Sequence, residues 1–179
     1  MNGLPEAFIN KMRNLLGEEA EAFFSSYEKP RNYGLRCNTL KCAPAEFTAR
    51  MPFTLQPVPW ADNGYYYEPE QAPGKHPFHE AGAYYIQEPS AMSPAQLLDA
   101  KPGDIVCDLC AAPGGKSTQI AAQLQGRGVL VSNELYPARA RVLSQNFERM
   151  GIQNGVVLNE NTAHMAALFP GFFDKIMVD

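Results

Sequence analysis

Gly114, Gly115, Lys116 and Ser117 follow a run of small residues, Cys110-Ala111-Ala112-Pro113, and 19 residues after Gly115 a carboxylate, Glu134, closes a short apolar run. Two glycines lacking Cβ atoms let a backbone lie against a ligand. A carboxylate at that distance suits the paired hydroxyls of a ribose. These residue types describe a site for a nucleoside cofactor, and three chemistries compete for it. A phosphate-binding loop needs Gly, four residues, then Gly-Lys-Ser/Thr. The chain has Gly115-Lys116-Ser117 but Cys110 where the first glycine belongs. A dinucleotide fingerprint, Gly-x-Gly-x-x-Gly, fits in no register. S-adenosylmethionine needs a similar loop and a ribose-binding acid at the end of the next strand, which Gly128-Val129-Leu130-Val131-Ser132-Asn133-Glu134 supplies. Taken alone, Glu134 reads equally well as a solvated residue after a strand.

The elements that must position these groups are legible from periodicity. Ile105 to Leu109 reads as a buried strand, and Gln119, Ile120, Ala121 and Leu124 give the helical pattern after the loop. A strand, a tight loop and a helix N-terminus place unpaired N–H groups and positive dipole at the carboxyl end of a parallel strand, where open α/β sheets bind ligands. After Glu134, Pro137 starts a helix striped with Ala138, Val142, Leu143, Phe147 and Met150 and stopped by Gly151. Gly155–Leu158 is a third strand, a short connection follows, and Phe173–Asp179 is a fourth. Such alternation predicts a parallel sheet with right-handed crossovers. It stops with fewer strands than a finished doubly wound domain has, so a truncated domain is expected.

Upstream, Phe8, Ile9, Met12, Leu15 and Leu16 share one face of a helix over 5–16, and a second short helix spans 18–26, both read as packing surfaces. Leu35–Leu40 reads as a strand, and Pro44 opens a short helix to Arg50. Six prolines from Met51 through Pro77 leave room for one edge strand, 64–68. Ala83–Gln87 is a strand, and Ser90 or Ser93 caps a helix through Leu98. The division expected is 1–80 and 81–179.

Composition bounds the rest. At 179 residues and 45% apolar the chain can bury a core, and it has neither a membrane-length apolar run nor a signal-peptide pattern. A soluble, cytoplasmic protein with no membrane partner is expected. Cys107 and Cys110 are spaced like a metal pair, but residues three apart on a strand face opposite sides, and with Cys37 and Cys42 they make no convergent set. No metal is expected. The net charge of −4 is unusual for a nucleic-acid enzyme. Lys29, Arg31, Arg36 and Lys41, with Tyr33 among them and no acid nearby, nonetheless form a stretch suited to phosphates and a stacked base, or else a solvated basic loop.

Asp108-Leu109-Cys110-Ala111-Ala112-Pro113-Gly114-Gly115-Lys116 closely resembles the signature of the Sun/Nop-type RNA cytosine-5 methyltransferases, nearest their bacterial ribosomal-RNA branch. Two further blocks are similar to that family's: Gly34-Leu35-Arg36-Cys37-Asn38-Thr39-Leu40-Lys41 and Gly82-Ala83-Tyr84-Tyr85-Ile86-Gln87-Glu88-Pro89-Ser90. The resemblance implies a class I methyltransferase Rossmann-like sheet, incomplete here, preceded by a small α+β subdomain that binds RNA, with ribosomal RNA as the substrate class. It implies that Cys110, Ala111, Ala112, Pro113, Gly114, Gly115 and Lys116 hold S-adenosylmethionine and that Glu134 takes its ribose. It puts Asn161 where the family has an acid near the adenine, and Asp179 near the sulfonium. The family's two catalytic cysteines follow the fourth strand, the first in an Asp-Ala-Pro-Cys turn whose Asp aligns with Asp179. Cys110 is therefore not the nucleophile, and these residues alone should transfer no methyl group. Two other readings stay open. A nucleotide hydrolase predicts magnesium-dependent nucleotide binding. A non-catalytic RNA-binding module predicts RNA affinity, carried by Lys29 to Lys41, that survives Glu134→Ala.

Overall fold

The computed structural model describes residues 3–179. They form two units, one ending at Asn32 and one spanning Tyr33–Asp179. In the first, α1 (Glu6–Leu16) and α2 (Ala20–Ser26) are joined by one turn of 3-10 helix. Rings hold the pair: Phe8 to Phe23 at 6.3 Å and Phe23 to Tyr27 at 5.4 Å between centroids. The apolar stripe of α1 is less covered than its pattern predicts, with Leu15 70% exposed.

The second unit begins with an antiparallel sheet built from β1 (Tyr33–Cys37), β2 (Gln56–Val58), β3 (Ala61–Tyr67) and β4 (Tyr84–Ile86), in the order β2-β3-β1-β4. Two short helices, α3 (Pro44–Arg50) and α4 (Pro77–Glu80), lie in its connections. The tyrosine strand is longer than the sequence predicts and is interior, not an edge. Its neighbour β2 takes the edge, where the missing N–H of Pro57 does no harm. β4, read from sequence as part of the cofactor half, pairs with β1 instead. Leu35, Cys37, Phe47, Tyr65 and Tyr84 form the core of this layer.

The chain then runs through α5 (Ser93–Leu98), β5 (Ile105–Asp108), α6 (Gly115–Leu124), β6 (Val129–Asn133), α7 (Pro137–Met150), β7 (Gly155–Leu158), α8 (Thr162–Leu168) and β8 (Lys175–Met177). The strands form an all-parallel sheet in the order β7-β6-β5-β8, the α/β arrangement that the alternation predicts. Its core includes Val106, Ile120, Leu124, Leu130 and Leu143. α8 replaces an expected plain connection. Only Met165 of its residues is buried, so it leaves almost no periodic signal.

One turn joins the two sheets. β1 stops at Cys37, short of the predicted Leu40, because Asn38 bends the chain: its carbonyl accepts the N–H of Lys41 and its side-chain oxygen accepts that of Leu40. The Asn38 amide, 1% exposed, donates to the carbonyls of Gly82 and Met150, both at 2.8 Å. Lys41 Nζ donates to Ala81 O at 2.6 Å and Arg149 O at 2.7 Å. Arg149 and Met150 end α7, so their carbonyls have no partner within the helix. Asn38→Ala is expected to cost roughly 2 kcal/mol by leaving those buried carbonyls unpaired, read as a lower urea midpoint with an unchanged slope.

Candidate functional site

β5 ends at Asp108, and everything around the loop is built on that carboxyl group. It is 2% exposed, and its Oδ2 accepts from Ser117 Oγ at 2.6 Å, which in turn accepts from Ser132 Oγ at 3.0 Å. Burial raises the Asp108 carboxyl above the ordinary carboxylate range, against the opposing pull of Ser117, the Cys110 N–H and Lys116. A raised folded-state value means that the fold holds this proton more tightly than the unfolded chain does. The stabilisation is full below the ordinary carboxylate pKa and is lost as pH rises through the folded value. Asp108→Asn should therefore gain stability relative to the parent as pH is raised from 4 to 7, checked by urea unfolding at both ends. A relative change of the opposite sign would refute the burial account.

The loop itself turns its carbonyls toward α7. Ala112 O accepts from Arg139 Nη2 at 2.7 Å, and Pro113 O accepts from Asn146 Nδ2 at 2.8 Å. Ala111 N–H donates to Asn133 O at 2.8 Å, which ties the loop to the end of β6. Gly114 has φ +114°, a conformation that side chains disfavour, and a Cβ there would meet Leu143 Cδ1 at 3.1 Å. α6 starts at Gly115, so its free N–H groups open beside the loop. Ser117 is fully buried with its hydroxyl spent on Asp108, so it cannot hold a metal on a phosphate. That removes the physical basis of the phosphate-loop reading.

Glu134 follows β6 and is 3% exposed. One of its oxygens accepts the Tyr136 N–H at 3.1 Å, and the other lies 3.2 Å from Arg139 Nη1. It faces a cavity of about 260 Å³ lined among others by Leu109, Cys110, Tyr136, Arg139 and Asn161. Asn161 Oδ1 accepts from His164 N–H at 2.8 Å and so caps α8. Of the residues singled out from sequence, Cys110, Glu134 and Asn161 thus share one cavity. Ala111 and Ala112 are buried in the loop behind it, Pro113 lies on the surface, and Gly114, Gly115 and Lys116 lead into α6. Lys116 and Asp179 are paired with each other by their charged groups, outside the cavity lining.

Several residues escaped the sequence reading. Arg139 reaches both Glu134 and the loop, and its only signal was a position five residues after the acid at the start of a helix. Asn133 exchanges two hydrogen bonds with the backbone of Glu160, both at 2.9 Å, and Asn159 donates to Glu134 O at 2.6 Å. The Asn159-Glu160-Asn161 run was the visible clue. Arg36 was misread. It is fully buried, donating to Gln87 Oε1 at 3.1 Å, Thr118 Oγ1 at 2.7 Å and Gly115 O at 3.1 Å. With Lys41 also spent on carbonyls, two of the four basic residues expected to meet phosphates hold the fold together instead. Cys107 is buried in β5, its thiol pushed up to about 11 by burial. Among the described residues no three His, Cys, Asp or Glu side chains are grouped to hold a metal, and no helix is long and apolar enough to cross a membrane.

Two family models match successive parts of the chain. Residues 4–89 match the family model described as the N-terminal domain of 16S rRNA methyltransferase RsmF, and residues 95–179 match 16S rRNA methyltransferase RsmB/F. The chain is 37% identical to ribosomal RNA small subunit methyltransferase F of Vibrio parahaemolyticus, over 98% of this chain and 39% of the relative. The Escherichia coli O17:K52:H18 protein of that name is 34% identical over the same shares. The chain therefore spans about two fifths of the length of these curated relatives. A crystal structure of a methyltransferase homolog protein from Pyrococcus horikoshii superposes with a TM-score of 0.85 at 34% identity, covering 97% of this chain and 58% of that one. The parallel sheet is thus the Rossmann-like sheet of methyltransferases, and the chain belongs to the RsmB/F family of 16S rRNA methyltransferases.

Proposed function

We propose that this chain holds S-adenosylmethionine for methylation of carbon 5 of a cytosine in small-subunit ribosomal RNA, in the cytoplasm. The observation that carries the reading is Glu134: a carboxylate 3% exposed, facing a cavity beside a glycine loop at the carboxyl ends of β5 and β6. Its fit to the cofactor rests on acceptor capacity. One N–H and one exposed guanidinium do not exhaust the lone pairs of two oxygens, which leaves room for two ribose hydroxyls. Cys110 to Lys116 would line the methionine portion, where small side chains admit it and the α6 N-terminus favours its carboxylate. Asn161 would meet the adenine. Its Oδ1 is already partly used by the α8 cap, so its Nδ2 is the group to donate to a ring nitrogen. Asp179, held by Lys116, would lie near the positive sulfur. When bound, the cofactor supplies an electrophilic methyl group.

Residues 1–80 would face RNA, with Lys29 and Arg31, both exposed, as the basic contacts in place of Arg36 and Lys41. Cytosine is activated at carbon 5 by a cysteine thiolate adding at carbon 6. Neither Cys37 nor Cys107 suits that task, since burial raises both thiols, and Cys110 belongs to the cofactor loop. The family resemblance puts the catalytic thiols after the fourth strand, at positions that none of Cys37, Cys42, Cys107 and Cys110 matches. Titration calorimetry tests the reading: S-adenosylmethionine should bind without metal, and ATP with magnesium should not. The reverse pattern would end it. A companion assay with labelled donor and cytosine-containing RNA should show no methylation by these residues alone.

A further inference from the structure

The turn that joins the two sheets contains two thiols that the methyltransferase reading does not use. Cys37 closes β1 in the core of the antiparallel layer, and Cys42 lies just past the turn with its Sγ 3.9 Å from that of Cys37. Among the described residues neither sulfur has another hydrogen bond, except a long contact from Cys37 Sγ to Cys42 O at 3.7 Å. A disulfide needs the sulfurs to close to about 2.05 Å. That is a movement of under 2 Å between two residues that flank one turn. A second, independent feature provides access. A cavity of about 220 Å³ opens at Cys42, walled by Phe47, Met51, Phe78 and Ala83 and flanked by Lys41 and Arg50.

We propose that Cys37 and Cys42 are a reversible disulfide site, oxidised by a small disulfide such as oxidised glutathione that reaches Cys42 through this cavity. Cys42 is the entry sulfur. It gives its proton to solvent and attacks one sulfur of the oxidant, forming a mixed disulfide and releasing one thiolate. Cys37 then loses its proton and attacks the Cys42 sulfur, expelling the second thiolate and closing the internal bond. Two protein thiols are oxidised and one small disulfide is reduced to two thiols. The order follows from burial: Cys37 is fully buried, and desolvation with Cys42 alongside raises its thiol far above the ordinary range, so it makes a poor first nucleophile but sits ready as the second. The bond would span the turn that carries Asn38 and Lys41, so the clamp on the end of α7 would sense the oxidation state.

The cleavage pattern makes the test direct, because trypsin cuts after Arg36 and Lys41 and places the two cysteines on separate peptides. The whole protein is treated with oxidised glutathione, unfolded in an alkylating reagent, digested and read by mass spectrometry. The expected result is that the peptides beginning at Cys37 and Cys42 appear mostly as a linked pair, split again by dithiothreitol, while exposed Cys110 carries only a glutathione adduct. In Cys37→Ser the adduct should remain trapped on Cys42. In Cys42→Ser, a milder change at a half-buried position, Cys37 should stay unmodified. A wild-type protein in which Cys42 keeps its adduct while Cys37 is alkylated would overturn the proposal. So would a Cys42→Ser protein in which Cys37 takes up glutathione as fast as Cys110 does.

Discussion

Glu134→Ala is expected to weaken S-adenosylmethionine binding by about 100-fold or more while leaving the fold intact. Two hydrogen bonds to a buried carboxylate are worth about 1.5–3 kcal/mol each, and about 2.7 kcal/mol already makes a factor of 100. The structural cost is small by comparison. Alanine frees the Tyr136 N–H and the guanidinium of Arg139, whose side chain is 55% exposed and keeps its bond to Ala112 O. Glu134→Gln, which retains shape and one acceptor, should fall between the two. The measurements are calorimetric affinity and a thermal melt of each variant. An alanine variant that binds the cofactor as well as the parent would reduce Glu134 to a tether for the start of α7. The choice would then pass to the RNA-binding module, whose RNA affinity is indifferent to this side chain.

Arg36→Ala should cost about 3 kcal/mol of folding stability, a large share of the 5–15 kcal/mol typical of a domain. Arg36 is a buried cation with no carboxylate among its hydrogen-bond partners, and among the described residues its Nη1 has no hydrogen-bond partner. Burial pushes its guanidinium down to about 10, which at neutral pH corresponds to a penalty of roughly 3 kcal/mol for carrying the charge. Deleting the side chain removes that penalty but opens a void, at roughly 2–5 kcal/mol for a large core truncation. It also strands Gln87 Oε1 and weakens the hold on Gly115 and Thr118, at about 1 kcal/mol per lost bond. The void and the lost bonds win. Arg36→Met fills most of the space without the charge and should be about 2 kcal/mol less damaging than alanine. Urea unfolding of the three proteins decides it, and a methionine variant as unstable as the alanine one would show that the hydrogen bonds, not the packing, dominate. Because Arg36 grips the first turn of α6, both variants should also loosen cofactor binding in proportion to how far Gly115 is released.

Local pattern carried the cofactor half. Each strand and helix from Ile105 to Leu158 has its own period, and the loop and Glu134 are tied to it by short sequence separations. Alternation by itself fixes parallel pairing and handedness. For the same reason, the residues that resembled a methyltransferase signature needed no partner from elsewhere to be read. The antiparallel layer was harder, because a strand's place in a sheet depends on which distant segment pairs with it. Tyr65 and Tyr66 look like any half-exposed strand until β1 is laid on one side and β2 on the other. Charge was hardest of all. Nothing near Arg36 in the chain distinguishes it from a phosphate-binding arginine, since its acceptors lie 51, 79 and 82 residues away. The same holds for Lys41 and Asn38, whose partners at the end of α7 are more than 100 residues on. The sequence by itself determined the elements from Ile105 to Leu158, the parallel sheet and the candidate cofactor loop, because these arise from interactions between near neighbours in the chain. Only the tertiary structure decided which basic residues are buried, which strand is an edge and which thiols meet, because desolvation and pairing are set by segments that only folding brings together.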